Sequence, residues 1–276
     1  MSIDLNFLKE VYFTFDQPVP YQLKCGEEIK IYPVYLSDYM AFMTSYDILD
    51  IDKNSQNDVD VISMSYLKFL VERVLPYSSE AGQKLVNLCL LCLKLQWPQI
   101  GRDDKNRPLL CEVDKEVGDI SFFITQKEFN DIKRIILYQN LPNYDDEYIN
   151  PELKENMKEL DNLKNKNLEI PSLERKIAIV TSHTGISKKE QLEMTIRAHS
   201  LLFQEIANEV EYNAAKPLSI YAGKSEEIQW IFKKKKDKFS DYITSVEDYN
   251  KSMGGSGNVK TVNNFNKDLI SQYEKY

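Results

Sequence analysis

The sequence predicts a mixed α+β protein that is predominantly α-helical. Three observations predict this class: a Gly-containing connection between two extended segments, several long segments with apolar residues at helical spacing, and capping boxes at helix starts. We expect an N-terminal β-hairpin unit packed on helices, a small strand insert and a helical C-terminal half. The predicted domains are an α+β domain at 1–123 and a helical domain at 124–253, with a flexible Gly-rich tail at 254–276.

The N-terminal third is expected to begin with strands. Residues Leu5–Val34 look extended, because Val11, Phe13 and Phe15 alternate with polar neighbours. Tyr21–Lys24 and Glu28–Tyr32 then flank a short turn with Gly26, which predicts a hairpin. Ser37 is a candidate cap for a helix that holds Tyr39 to Tyr46, and the polar segment Asp47–Asp60 is expected to be a surface loop without calcium, because it lacks the EF-hand glycine and glutamate.

The middle of the chain should supply most of the core. Val61–Leu75 and Ser79–Leu95 have helical periodicity and are separated by Pro76. Asp103–Asn106 suggests a turn, followed by strands at Leu109–Val113 and Ile120–Phe123. Thr125 and Glu128 then form a capping box that opens a helix, with Phe129, Ile132 and Ile136 directed inward and Asp131, Lys133 and Arg134 on the solvent side.

The C-terminal half is predicted to be helical throughout. Pro151 suits the first position of a polar helix, Ser172 opens another that closes near Thr184-Gly185, and Ser187 with Glu190 opens the longest helix, which runs to about Tyr212. That helix has a narrow apolar seam at Leu192, Ile196, His199, Phe203, Ile206 and Val210. The seam suits either packing within its own domain or a subunit or partner interface.

Composition excludes more functions than it suggests. The net charge of -8 disfavours a nucleic-acid partner, since phosphate binding requires clustered cations. The sequence has no signal peptide and no run of about 18 apolar residues, so we expect an intracellular protein that has no membrane partner. Cys89 and Cys92 lie one helical turn apart among leucines, which is typical of inert core thiols, and the spread of the four cysteines fits a reducing cytosol.

No motif in the sequence predicts catalysis or a cofactor. His183 and His199 are the only histidines. His199 is expected to be packed and hydrogen-bonded on the apolar seam of its helix, and His183 is expected to interact with the carbonyls at the end of its helix rather than with a substrate. The segment from Ala222 to Ser225 resembles the end of a phosphate-binding loop, but Leu218 occupies the position of the required first glycine. The acidic cluster at residues 145–147 lies between Tyr144 and Tyr148 and suits a protein contact better than a metal site.

Five segments resemble a family of phage tail-region proteins from low-GC bacterial hosts: residues 28–42, 52–54, 62–70, 129–153 and 228–239. The resemblance implies a non-enzymatic tail assembly chaperone of the host cell cytoplasm, which binds the tape-measure protein, tail-tube subunits or both, and which has no cofactor. A structural subunit of the virion, at the tail end or baseplate, is the alternative, and homo-oligomers are compatible with both. The residues expected to contact partners are Tyr144, Tyr148, Leu192, Ile196, His199, Phe203, Ile206 and Trp230.

Overall fold

A computed structural model describes residues 3–56, 58–147, 151–166 and 170–221 of the chain. It confirms a mixed α+β fold that is mostly helical, with one two-stranded and one three-stranded antiparallel sheet in the described part. The chain divides into two compact units, Met1–Pro151 with Glu169–Ile228, and Glu152–Leu168 with Gln229–Tyr276. The domain boundaries expected from the sequence remain a prediction, and the tail at 254–276 lies outside the described residues.

The chain begins with a helix, so the predicted first strand is wrong. Helix α1 spans Leu5–Val11, and a 3-10 turn covers Phe13–Phe15. The Asp4 carboxylate caps α1 by accepting hydrogen bonds from the backbone N–H groups of Asn6 and Phe7, both at 3.1 Å. Leu8 and Tyr12, four residues apart, pack against the core. This helical spacing outweighs the period-2 alternation that suggested a strand.

The predicted hairpin is confirmed. Strands β1 (Val19–Gln22) and β2 (Glu28–Ile31) are antiparallel, with Val19 opposite Ile31, and Gly26 in the turn has a φ of 99°. The next helix is shorter than expected. A 3-10 turn at Leu36–Asp38 leads into α2 (Tyr39–Met43), and no side chain caps its start, so Ser37 is not the predicted cap.

Three short helices and two π-helical turns form the first half of the core. They are α3 (Val59–Ser63), α4 (Tyr66–Phe69) and α5 (Ser79–Leu88), with π-helical turns at Leu70–Val74 and Cys89–Leu93 that extend α4 and α5. The helix predicted over 61–75 is therefore interrupted, because Ser65 caps α4. The loop at 47–60 carries 3-10 turns at Tyr46–Leu49 and Lys53–Gln56.

A three-stranded sheet follows in the order β3-β4-β5. The strands are β3 (Pro98–Arg102), β4 (Pro108–Val113) and β5 (Ile120–Ile124). The last two confirm predicted strands, whereas β3 was missed, since Pro98 and Gly101 disfavour a strand assignment. At Gly101 an added Cβ would lie 2.9 Å from the Cys111 sulfur, so the close contact between β3 and β4 depends on glycine.

Helix α6 (Gln126–Asn140) is the central element of the first unit. Its predicted start is confirmed, because the Glu128 carboxylate accepts hydrogen bonds from both the backbone N–H and the hydroxyl of Thr125. The hairpin packs on this helix: the Tyr21 hydroxyl donates to Asp131 at 2.9 Å. The prediction that Asp131, Lys133 and Arg134 lie on the solvent side of α6 is wrong in part, since all three are only partly exposed.

Helix α7 (Pro151–Asn165) begins at the last residue of the first unit's N-terminal segment and provides nearly all of the described part of the second unit. Pro151 occupies the first helical position, as predicted. Leu153, Leu160 and Leu163 are exposed on this helix. The polar, weakly amphipathic pattern of this segment therefore gives a helix with apolar side chains open to solvent.

The C-terminal helices of the first unit are α8 (Leu173–Thr184), α9 (Lys188–Leu192) and α10 (Ile196–Tyr221). The Ser172 and Ser187–Glu190 caps and the Gly185 terminus are confirmed. The prediction of a single long helix that runs to about Tyr212 is wrong, because the chain leaves helical geometry at 193–195. There it pairs with an extended segment near the N-terminus: Leu36 N–H donates to Met194 O at 2.8 Å, and Ile196 N–H donates to Val34 O at 2.9 Å.

Candidate functional site

The acidic aromatic loop after α6 is folded back onto that helix. Arg134 forms a two-point ion pair with Asp146, at 2.5 and 3.2 Å, and the Tyr138 hydroxyl donates to the same carboxylate at 2.8 Å. Burial by itself would raise the pKa of Asp146, but the hydrogen bonds from Arg134 and Tyr138 outweigh it, so this pKa is lowered. The loop therefore has a defined conformation in which Asp146 is engaged by its own chain.

Tyr144 is part of the same packing and is not a free surface ring. It lies edge-on to Tyr138, with ring centroids 5.1 Å apart, and it packs against the edge of the core. Burial, followed by the Asp50 and Asp146 carboxylates, raises the pKa of its hydroxyl. Tyr148, the other aromatic residue of the predicted contact, lies outside the described residues. The predicted role of this loop in partner binding stays a prediction.

Most of the predicted apolar seam, which runs from Leu192 at the end of α9 into α10, faces the interior of its own unit, but its last member, Val210, is 51% exposed. Ile196, His199 and Ile206 are buried, and Leu192 and Phe203 are half-buried. The Lys176 ammonium of α8 lies 5.5 Å from the centre of the Phe203 ring. A partner could reach the buried seam residues only if α10 moved away from its neighbours. Trp230, the last predicted contact residue, lies outside the described residues.

His199 belongs to a buried polar network that joins the three C-terminal helices. Its Nε2 lies 3.1 Å from Gln191 Oε1, and the Gln191 amide nitrogen donates to Thr181 Oγ1 at 2.8 Å and to Ile186 O at 3.1 Å. Burial, with a smaller effect of the nearby Lys176, lowers the pKa of His199. The network satisfies polar groups in the interior, which is a structural role.

The remaining candidate chemical groups are also engaged in packing. Cys89 and Cys92 are buried, as predicted, and burial raises the pKa of Cys89 to about 12. His183 Nδ1 lies 3.1 Å from Ile179 O, which confirms that this histidine interacts with the carbonyls at the end of its helix. Across the described ranges, no three His, Cys, Asp or Glu side chains are grouped so that they could hold a metal ion.

One polar pocket lies where four segments of the chain converge. It has a volume of about 300 Å³, and its lining includes Lys24, Arg107 and Lys127. Arg107 is already paired with Asp103, with its NH2 group at 2.6 Å from the carboxylate. The positive charge on the pocket wall therefore comes from two exposed lysines, and such an arrangement does not fix the orientation of a ligand.

Sequence reasoning missed three exposed apolar side chains on the N-terminal helix and the turn that follows it. Phe7, Val11 and Phe15 are 55%, 41% and 65% exposed. We call these three side chains the α1 stripe. Their spacing of four residues was visible in the sequence, but it was assigned to a strand. Phe7 and Val11 lie one turn apart on α1, and Phe15 lies in the 3-10 turn that follows this helix.

Comparison with known proteins identifies no relative: no protein-family model matches the chain, and neither a curated protein nor a solved structure is significantly similar to it. Each helix in the described ranges is too short or too polar to cross a bilayer.

Proposed function

We propose that this protein is a non-enzymatic phage tail assembly chaperone that binds the tape-measure protein, tail-tube subunits or both in the host cell cytoplasm. The proposal starts from the resemblance of the segments at 28–42 and 129–153 to tail-region proteins. In the described residues these segments form β2, α2 and α6, which build the core of the first unit.

The structural observation that supports the proposal is the α1 stripe. A chaperone for a long hydrophobic protein requires a surface that receives apolar side chains, and exposed apolar patches with polar margins are typical of such surfaces. Phe7 and Val11 of α1 and Phe15 of the turn after it expose such side chains, while the neighbouring Leu8 and Tyr12 pack against the core. Catalysis is a weaker candidate function, because His199, Cys89 and Cys92 are committed to packing.

The test is affinity capture of tagged protein from cells that produce the phage, with quantitative mass spectrometry. We expect enrichment of the tape-measure protein or the tube subunit over a culture with the tag alone. Purified virions are measured in parallel, and this chain should be absent from them. A stoichiometric amount of the chain in virions would instead identify it as a tail-end or baseplate subunit and overturn the chaperone proposal.

A further inference from the structure

Helix α7 carries a row of apolar side chains that are largely open to solvent. Leu153, Met157, Leu160 and Leu163 follow one another within this helix at intervals of four, three and three residues. Such spacing places the four side chains along one side of the helix over about three turns. The leucines are 42%, 40% and 68% exposed, and Met157 is partly exposed. We call these four side chains the α7 row.

A helix of this length needs an apolar surface to pack on. An isolated helix of about 12–15 residues is marginally stable in water, and most helix stability in proteins comes from burying an apolar face. None of the α7 side chains that the structure describes is buried. Most of the other positions of α7 are Glu, Lys or Asn, so the α7 row is the face that packing has to cover.

The composition of the second compact unit indicates which part of the chain covers the α7 row. This unit consists of Glu152–Leu168, which holds nearly all of α7, and Gln229–Tyr276. Within the second range, residues 229–239 have the sequence QWIFKKKKDKF. They include the only three consecutive large apolar residues of that range, Trp230, Ile231 and Phe232. Tryptophan and phenylalanine contribute more apolar area on burial than other side chains, so this segment is the best apolar counterpart of the row.

The charges beside the α7 row complement those of the same segment. Successive residues are about 100° apart around a helix, which places Glu159 and Asp161 on the two sides of the row. Glu155 and Lys158, the other charged side chains that the structure describes on α7, lie toward the opposite face. Residues 233–238 contain five lysines and one aspartate, a net charge of +4. A segment that buries its apolar residues on the row therefore brings lysines close to two carboxylates, which favours the contact.

A segment of the same chain also has an advantage in concentration over a second copy of the protein. Residues 222–228 join the end of α10 to the segment. An intramolecular contact through a short connection corresponds to an effective concentration of about millimolar. A separate molecule at micromolar concentration would have to bind about a thousandfold more tightly to compete for the α7 row.

We propose that the α7 row is the docking surface for residues 229–239 of the same chain. Trp230, Ile231 and Phe232 contact the leucines, and the lysines lie beside Glu159 and Asp161. Trp230, which the sequence predicts as a partner contact, is then engaged by its own chain, so a partner that binds Trp230 has to compete with α7. The inference does not rest on the proposed function, because it depends on α7 and this segment alone.

Carbodiimide cross-linking of the full chain tests the contact directly. This reagent joins a carboxylate to a lysine amine without a spacer, so only groups in contact react, and peptide mass spectrometry locates the joined residues. We expect Glu159 or Asp161 to be joined to lysines within 233–238. A mixture of unlabelled and isotope-labelled chains shows whether the joined peptides come from one molecule. Links between molecules would assign the α7 row to a second copy and overturn the proposal, as would the absence of links between α7 and these lysines.

Acrylamide quenching of Trp230 fluorescence measures the docked fraction. Trp97 is the only other tryptophan, so all proteins carry Trp97→Phe. In L160S/L163S the ratio of docked to undocked chain should fall at least about tenfold, and quenching should rise accordingly. The matched control is L201S/L218S, which removes two leucines of α10 that are 40% and 70% exposed. This control makes the same change in helix propensity and should leave quenching as it is without these substitutions.

A charge reversal keeps the test decisive if L160S/L163S fails to fold. Glu159→Lys leaves the α7 row intact and should also increase the quenching of Trp230, because it replaces attraction to the lysines by repulsion. Glu155→Lys, toward the opposite face of α7, makes the same change in charge and should have a smaller effect. Equal quenching in L160S/L163S and its control, or equal effects of the two charge reversals, would overturn the proposal.

Discussion

Removing the Asn140 side chain should destabilise the protein by about 2 kcal/mol. Asn140 is fully buried at the end of α6, where its Oδ1 accepts a hydrogen bond from Val34 N–H at 2.7 Å and its Nδ2 donates to Ile136 O at 2.9 Å. In Asn140→Ala the Ile136 carbonyl keeps its helical partner, but the buried Val34 N–H has none. An orphaned buried donor costs about 1–3 kcal/mol.

The assay is equilibrium unfolding in urea. With a slope of about 2 kcal/mol per molar urea, the midpoint should fall by about 1 M without a change in slope. Asn213→Ala, at an exposed position of α10, is the matched control and should be neutral within about 0.5 kcal/mol. Hydrogen exchange at Val34 gives an independent readout, because this amide should exchange faster in Asn140→Ala.

A loss below about 0.5 kcal/mol in Asn140→Ala, equal to that of the control, would refute the reasoning. It would mean that Val34 N–H is not sealed from water or that it finds another acceptor. The prediction therefore tests whether the end of α6 holds the extended segment through this one side chain.

Three further predictions concern titration, thiol access and backbone packing. Burial and Lys176 lower the pKa of His199 below 6.5, so the folded state favours the neutral ring. The stability that the neutral ring contributes is complete above pH 6.5 and is lost as the pH falls through the folded-state pKa. We therefore expect the free energy of unfolding to fall less between about pH 7.5 and pH 5 in His199→Gln than in the wild type. Cys25 is the exposed one of the four free cysteines, so a chromogenic thiol reagent should modify one thiol rapidly in the native protein and all four after denaturation; rapid native modification of more than one would contradict the packing. Gly101→Ala should cost about 1–3 kcal/mol through its clash with Cys111, and the double variant with Cys111→Ala should recover part of this loss in thermal unfolding, whereas strict additivity would exclude the clash.

The elements that the sequence predicted correctly depend on local signals. Ser172 and Ser187 cap the helices that follow them, and Gly185 ends α8 with a φ of 75°. Each signal involves groups within about one helical turn, so neighbouring residues are sufficient to specify it. The same is true of the turn at Gly26 in the hairpin.

The first helix was mistaken because a short apolar segment fits both periods. Val11, Phe13 and Phe15 alternate as in a strand, while Leu8 and Tyr12 are spaced as in a helix. The Asp4 cap and the burial of Leu8 and Tyr12 on the core stabilise the helix. The α1 stripe could not be recognised until that choice was made, since a strand would separate its residues in space.

Local sequence determined where most helices begin and end and which thiols are buried, because capping and apolar periodicity act over a few residues. The break between α9 and α10 was decided by tertiary structure, since Met194 and Ile196 exchange backbone hydrogen bonds with Leu36 and Val34, far away in sequence. Tertiary structure also decided which apolar side chains are exposed. Burial of Ile196, His199 and Ile206 and exposure of the α1 stripe depend on which elements pack together, and long-range packing, rather than local propensity, sets that choice.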